Sequence, residues 1–239
     1  MALYAMADLH LSTENNKPMD IFGSRWQGYT EKIKKRWNAV VEDGDTVVIP
    51  GDISWAMRLN EAEGDFLFIE QLNGKKLIGK GNHDFWWSSE KKMTDAFSTW
   101  GISSISSMHC KAYEVDGKII CFSRGWYVEP KAQGKIFDTD YSKIVVRECV
   151  RLSLSLDEGV RLRGERSNIP IYVFMHFPPV FGDFVCRPII ETLHKYGIEH
   201  VFFGHIHGCY SVPPYCVYDG IRMEIISSDY LDFYPKRIF

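Results

Sequence analysis

The chain predicts an α/β fold built on a parallel, helix-flanked sheet, and three observations carry that prediction. Short apolar runs alternate with helix-period segments over residues 2–100. The alternation resumes after residue 168. Five of the apolar runs end directly in a cluster rich in Asp, Asn and His, as strands do when their carboxyl ends line one edge of a sheet and hold a site there.

Taken in order, Ala2 to Ala7 is an apolar strand that ends in Asp8-Leu9-His10, and residues 11–27 carry no period and read as loop. From Tyr29 to Glu42, apolar Ile33, Trp37, Val40 and Val41 recur at spacings of four and three, a helix with one buried stripe, stopped by Glu42-Asp43-Gly44-Asp45. Thr46 to Ile49 is a β-branched strand running into Pro50-Gly51-Asp52. A helix over Asn60 to Leu72 would place Phe66, Ile69 and Leu72 on one face, with Gly64 weakening it. Leu77 to Gly79 is the third strand, delivering Gly81-Asn82-His83-Asp84 and then Phe85-Trp86-Trp87. Ser88 or Ser89 can cap the helix that follows to Trp100.

The middle of the chain changes character. Residues 102–124 predict two or three strands around an Asp116-Gly117 turn. Tyr141, Val145, Cys149, Leu152, Leu156 and Val160 recur at three- and four-residue spacings and predict a long helix, although Ser153 to Leu156 alternates in a way that also fits a strand. Arg161, Arg163 and Arg166 flank a polar turn and read as a solvated face. Ile169 to Met175 is again a strand, running into His176-Phe177-Pro178-Pro179. A helix from Pro188 to Tyr196 leads to the strand His200 to Phe203 and to Gly204-His205-Ile206-His207-Gly208. Residues 215–239 predict antiparallel strands with a turn at Asp219-Gly220.

With 239 residues, 45% apolar and 14% aromatic, the chain can bury a large core and is expected to be one domain, 1–239. A net charge of −3 leaves no electrostatic footprint for nucleic acid or an anionic membrane. No apolar run approaches the roughly 18 residues of a membrane span, and the N-terminus lacks the basic start and long apolar core of a secretory signal, so a soluble, cytoplasmic protein is expected. The six cysteines form no Cys-x-x-Cys pair. Counting outward from the Asp116-Gly117 turn sets Cys121 opposite Ala112 and Cys110 opposite Ser123, so all six are expected to be reduced.

The five strand ends supply Asp8 with His10, Asp52, Asn82 with His83, His176, and His205 with His207; His109, His194 and His200 lie outside this pattern. In an extended segment, residues two apart point the same way, so Asp8 and His10 can reach one ion, as can His205 and His207. Carboxylate, amide and imidazole donors without a thiolate set suit Mn, Fe, Zn, Ni or Co. Two divalent ions balanced by only Asp8 and Asp52 keep about two positive charges, which attracts an anion such as a phosphate ester.

Asp8-Leu9-His10, Gly51-Asp52, Gly81-Asn82-His83-Asp84, His176 and Gly204-His205-Ile206-His207 together resemble the calcineurin-like metallophosphoesterase superfamily, whose five blocks they match in order from residue 8 to residue 207. The resemblance implies a four-layer αββα sandwich of two mixed sheets flanked by helices, with the metal site at strand carboxyl ends. In it, the strands at 102–124 and 215–239 would supply the second sheet. It implies two transition-metal ions: Asp8, His10 and His207 on one, Asn82, His176 and His205 on the other, and Asp52 bridging. His83 would protonate the leaving group, with Asp84 orienting or biasing it, while the two ions lower the pKa of a shared water for in-line attack on phosphorus.

The substrate implied is a small phosphate ester or nucleotide. Asp52 is followed by Ile53-Ser54-Trp55-Ala56-Met57-Arg58 rather than the Val-Asp-Arg-Gly run of the protein serine/threonine phosphatases, which argues against that branch. Arg58 and Arg124 are candidates to touch phosphate. Trp55, Phe85, Trp86 and Trp87 can form either an aromatic wall beside a base or part of the core. The rival reading is a non-catalytic scaffold of the same fold that grips a protein partner.

Overall fold

The computed structural model describes residues 1–14, 17, 19–127 and 139–238. Its first half is strand–helix alternation: β1 (Leu3–Ala5), α1 (Tyr29–Asn38), β2 (Thr46–Pro50), α2 (Glu63–Glu70), β3 (Lys75–Gly79), α3 (Glu90–Thr99) and β4 (Ile105–Ser107). A hairpin follows, β5 (Ala112–Val115) and β6 (Lys118–Ser123), then α4 (Thr139–Arg163), β7 (Ile171–Met175), the small hairpin β8 (Val180–Phe181) and β9 (Phe184–Val185), α5 (Arg187–Lys195), β10 (His200–Phe203), β11 (Tyr215–Tyr218), β12 (Ile221–Ile225) and β13 (Lys236–Ile238).

These strands form two large mixed sheets, β13-β1-β2-β3-β4 and β11-β12-β10-β7-β6-β5. Alternation along the strands sorts side chains into layers. In β2, Val47 and Ile49 pack toward α1, α2 and α3, with Ile33, Trp37, Phe66, Ile69, Met93 and Phe97, while Val48 faces between the sheets. In β7, Val173 and Met175 pack with Leu152 and Leu156 of α4 and Ile189 and Leu193 of α5, while Phe174 faces inward. The inter-sheet layer is filled by Leu3, Ala5, Val48 and Leu77 from one side and Ile120, Phe122, Phe174 and Phe202 from the other. The result is helix, sheet, sheet, helix, the four layers expected.

Several elements differ from the sequence expectation. The strands that carry ligands divide between the sheets, β1, β2 and β3 in one and β7 and β10 in the other, so the site edge is shared by both. The last strands also divide: β11 and β12 join the second sheet, but β13 pairs antiparallel with β1 and closes the first. β4 likewise extends the first sheet, parallel to β3. The helix expected from Asn60 starts as a 3-10 turn, Leu59–Ala62, and becomes α-helical only at Glu63. Gly64 there lets Thr13 approach, since a Cβ would lie 3.2 Å from the Thr13 methyl. Ser153 to Leu156 is helix, because α4 covers the second sheet and buries Leu152, Ser155 and Leu156 against it. Residues 19–26, expected as loop, include two 3-10 turns that bury Met19 and Trp26. The hairpin register holds as expected, with Ala112 opposite Cys121. Among the described residues, no helix is long and apolar enough to cross a membrane.

Candidate metal centre

Each ligand-type residue follows a strand within five residues, where the backbone turns away from the sheet. Asp8 (φ 63°), His10 (φ 46°), Asp52 (φ 51°) and His205 (φ 69°) all occupy the left-handed region that side chains usually avoid. Backbone strain of this kind, about 1–3 kcal/mol per residue, persists where surrounding structure imposes it, and among the described residues four of the nine non-glycine positions in that region fall on this one set of side chains.

Those side chains converge as two groups, Asp8 with His10 and His207, and Asp52 with His176 and His205; within each, one ligand atom per residue lies within 4.8 Å of the others. Asp52 stands between them. Its Oδ2 is 3.7 Å from His10 Nε2 and 3.5 Å from His176 Nε2. Asn82 Oδ1 is 2.6 Å from His176 Nε2, which brings the amide to the second group. His83 Nε2 lies 4.0 Å from Asp52 Oδ2 and its ring is about one-third exposed.

The donors fit cations better than they fit one another. His10 Nε2 and His207 Nε2 face each other at 3.1 Å, and the buried Nδ1 atoms of His10 and His176 have no hydrogen-bond partner. Burial pushes the Asp8 carboxyl up to about 6, against pulls from His207, Ser227 and His205. Burial also pushes Asp52 well above the usual carboxylate range, reinforced by Asp84 and Asp8. It drives His10 and His176 well down, and lowers His205 to about 3 with help from His207 and His83. Both carboxylate anions and imidazolium cations are thus disfavoured on their own. Neutral imidazoles beside carboxylates around a shared cation resolve both problems.

His207 is the exception. Burial opposes its charge, but the bond to Asp229 and the charge of Asp8 raise its pKa overall. Its Nδ1 is 2.8 Å from Asp229 Oδ1, leaving Nε2 directed at the cluster. Asp229 is fully buried and also accepts from the Gly208 N–H (3.0 Å) and the Tyr210 hydroxyl (3.0 Å). Such a carboxylate behind a ligating histidine sets tautomer and ring orientation. The sequence reading missed Asp229, although it follows β12 through Ser227-Ser228 just as the ligands follow their strands.

Asp84 does not orient His83. Its carboxylate accepts from the backbone N–H groups of Gly81 (2.7 Å), Asp52 (2.8 Å), Ile53 (2.8 Å) and Ser54 (3.2 Å) and from the Trp86 indole (3.0 Å). It therefore ties the loop after β2 to the loop after β3. The same two loops press together at glycine: a Cβ on Gly51 would lie 2.6 Å from Gly81 Cα, and one on Gly81 would overlap the Asp52 carboxylate.

The aromatic cluster also divides. Trp86 is buried, edge-on to Phe66 at 4.8 Å. Trp55 stacks on His10 (5.1 Å, 25°) and lies 4.2 Å from the His83 ring. Phe85 is 54% exposed, 6.5 Å from His83. Among the described residues, two cavities flank the cluster. One, of about 330 Å³, is lined by His10, Trp26, Trp55, His83, His207 and Tyr210 with Met19 and Phe22. The other, of about 360 Å³, lies beyond Lys80 and Trp87 and includes Arg124. Arg58 lines neither; it is exposed at the start of the 3-10 turn, its backbone N–H bonded to Glu61.

The sequence profile of the calcineurin-like phosphoesterases matches residues 1–209. The chain belongs to that family. No curated protein matches it by sequence. By structure it is similar to phosphopantetheinyl hydrolase (PptH) from Mycobacterium tuberculosis, with TM-score 0.55 and 14% identity over 100% of this chain and 95% of that one. A protein of unknown function from Aquifex aeolicus is similar at TM-score 0.50 and 17% identity, over 99% and 95% of the two chains. The protein TT1561 of Thermus thermophilus is similar at TM-score 0.54 and 8% identity, over 95% and 89%. At these identities the likeness is one of fold, and it extends over nearly the whole chain.

Proposed function

We propose that the chain is a metal-dependent phosphoric ester hydrolase acting on small phosphate esters or nucleotides. The observation that carries this reading is the placing of Asp52 Oδ2 between the two donor groups, with His83 beside it on the open side. Asp8, His10 and His207 would hold one ion and Asn82, His176 and His205 the other, with Asp52 shared; Mn, Fe, Zn, Ni and Co all suit these donors. When bound, such a pair supplies Lewis-acid polarisation of phosphoryl oxygens and a water acidic enough to attack at neutral pH.

The chain's own residues do the rest. Burial, then His207 and Lys17, depress His83 to about 4, so it is neutral in the free protein at pH 7. An arriving phosphate ester brings negative charge that opposes this depression and favours a proton on the imidazole. His83 then donates it to the leaving oxygen. Trp55 packs against the His83 and His10 rings and holds both in place. The cavity beside them, walled by Trp26, Trp55 and Tyr210, suits an apolar or aromatic alcohol portion on the leaving-group side.

The test is to load the protein with metal, count bound equivalents, and assay a monoester and a diester of one chromophore. The panel then extends to cyclic nucleotides, nucleoside diphosphate derivatives, a phosphopantetheinyl ester and a phosphopeptide. Two equivalents with hydrolysis of a small ester are expected. Fewer than two tightly bound equivalents, with no hydrolysis in added Mn²⁺, would replace this reading with the non-catalytic scaffold.

A further inference from the structure

The cavity of about 360 Å³ beyond Lys80 is lined by four cationic side chains, Lys80, Arg124, Arg147 and Arg151. Two acidic residues share it: Glu148, whose Oε1 pairs with Arg151 at 2.6 Å while its buried Oε2 has no hydrogen-bond partner, and Glu90, which pairs with Lys111 at 2.6 Å. Among the described residues, Lys80, Arg124 and Arg147 have no ion-pair partner, and the buried Nε of Arg124 has no hydrogen-bond partner at all. A buried guanidinium nitrogen without an acceptor costs free energy that an anion would recover. Ser88 and Ser89, at the start of α3, line the same cavity and add hydroxyl donors and the positive end of that helix.

Two of the cations follow strands beside the metal centre, Lys80 after β3 and Arg124 after β6, while Arg147 and Arg151 come from α4. Lys80 directly precedes Gly81-Asn82, and the Arg124 carbonyl accepts the backbone N–H of Phe177, the residue after His176. Segment 80–89 runs between the two cavities, with His83 on one and Lys80, Trp87 and Ser88 on the other.

We propose that this cavity is a second anion site that takes a phosphate group, gripped by the Arg124 and Arg147 guanidinium groups and the Lys80 ammonium. Planar guanidinium forks match phosphate oxygens, and the cavity has room for the carbon skeleton attached to one. The phosphate comes either from a substrate that carries a second phosphate or from a separate phosphate anion. Binding at this cavity does not require that the metal centre hydrolyse anything.

The test titrates chelator-treated protein with inorganic phosphate by calorimetry at fixed ionic strength, with Arg147→Gln and Lys80→Gln beside the wild type. Arg147 is exposed on α4, so its variant is expected to fold, and circular dichroism checks both. One saturable equivalent is expected, weakened about tenfold or more in each variant. Absence of saturable binding by the wild type, or equal affinity in Arg147→Gln, overturns the proposal. Kinetics of metal-loaded protein on adenosine 3′,5′-bisphosphate and adenosine 5′-monophosphate assign the source. A lower KM for the bisphosphate that Arg147→Gln abolishes places the substrate's own phosphate in the cavity. Phosphate binding without that preference places a separate anion there.

Discussion

At the scale of single residues, the roles proposed for His83 and Asp229 separate chemistry from metal holding. His83 contributes no atom to either donor group, so His83→Ala should keep both metals while turnover of an ester with a poor leaving group falls about 10²- to 10⁴-fold, with a smaller loss for a good leaving group. Wild-type turnover of the poor ester by that variant would remove His83 from the acid role. Asp229 acts one step further out, through His207 Nδ1. Asp229→Asn should weaken metal binding at the Asp8–His10–His207 group by about 10- to 100-fold, read by competition with a chelator. Unchanged affinity would mean that His207 is oriented by something else.

At the scale of elements, the loops after β2 and β3 work as one unit because Asp84 holds them. Asp84→Ala leaves four backbone N–H groups and the Trp86 indole without their acceptor in a buried place. A loss of about 3 kcal/mol or more is expected, with a fall in melting temperature of roughly 6–12 °C for a chain of this size. A thermal scan of the metal-free variant checks it, and a shift below about 2 °C would show that Asp84 is not the tie. The pair Gly51 and Gly81 serves the same unit from the steric side, since a methyl at Gly81 would displace the Asp52 carboxylate.

At the scale of the whole molecule, the buried site links stability to pH. Asp8, raised to about 6, binds more protons folded than unfolded, so its contribution is full below its ordinary value of 3.8 and is lost as pH rises through about 6. His83 and His205, depressed to about 4 and about 3, contribute above their ordinary 6.5 and lose that contribution as pH falls through those values. Raised His207 runs the other way from its neighbours, favouring the fold below 6.5. Bound cations relieve the carboxylates and compete with protons for the imidazoles. Adding Mn²⁺ to chelator-treated protein should therefore raise the melting temperature more at about pH 7.5 than at about pH 5.5. Equal gains at both would place the stabilising metal away from these groups.

How far the sequence reaches follows from the range of the forces involved. Hydrophobic period and strand-end polarity are local, so the chain by itself indicated the alternating elements, the long α4, the hairpin register at Ala112 and Cys121, and the side chains that gather at the site. Sheet membership is not local. β1 and β7 are both short apolar runs ending in a ligand-type residue, and only packing places one in each sheet and sends β13 back beside β1. The same limit applies to Asp84 and Asp229. An aspartate beside a histidine in sequence points toward it only if the backbone allows, and here the fold turns Asp84 to the amides of another loop. Asp229, distant in the chain, is the one brought against the His207 ring. Residue type and order named the donors; the tertiary structure decided which of them face one another, because only the meeting of two sheet edges brings their atoms within reach.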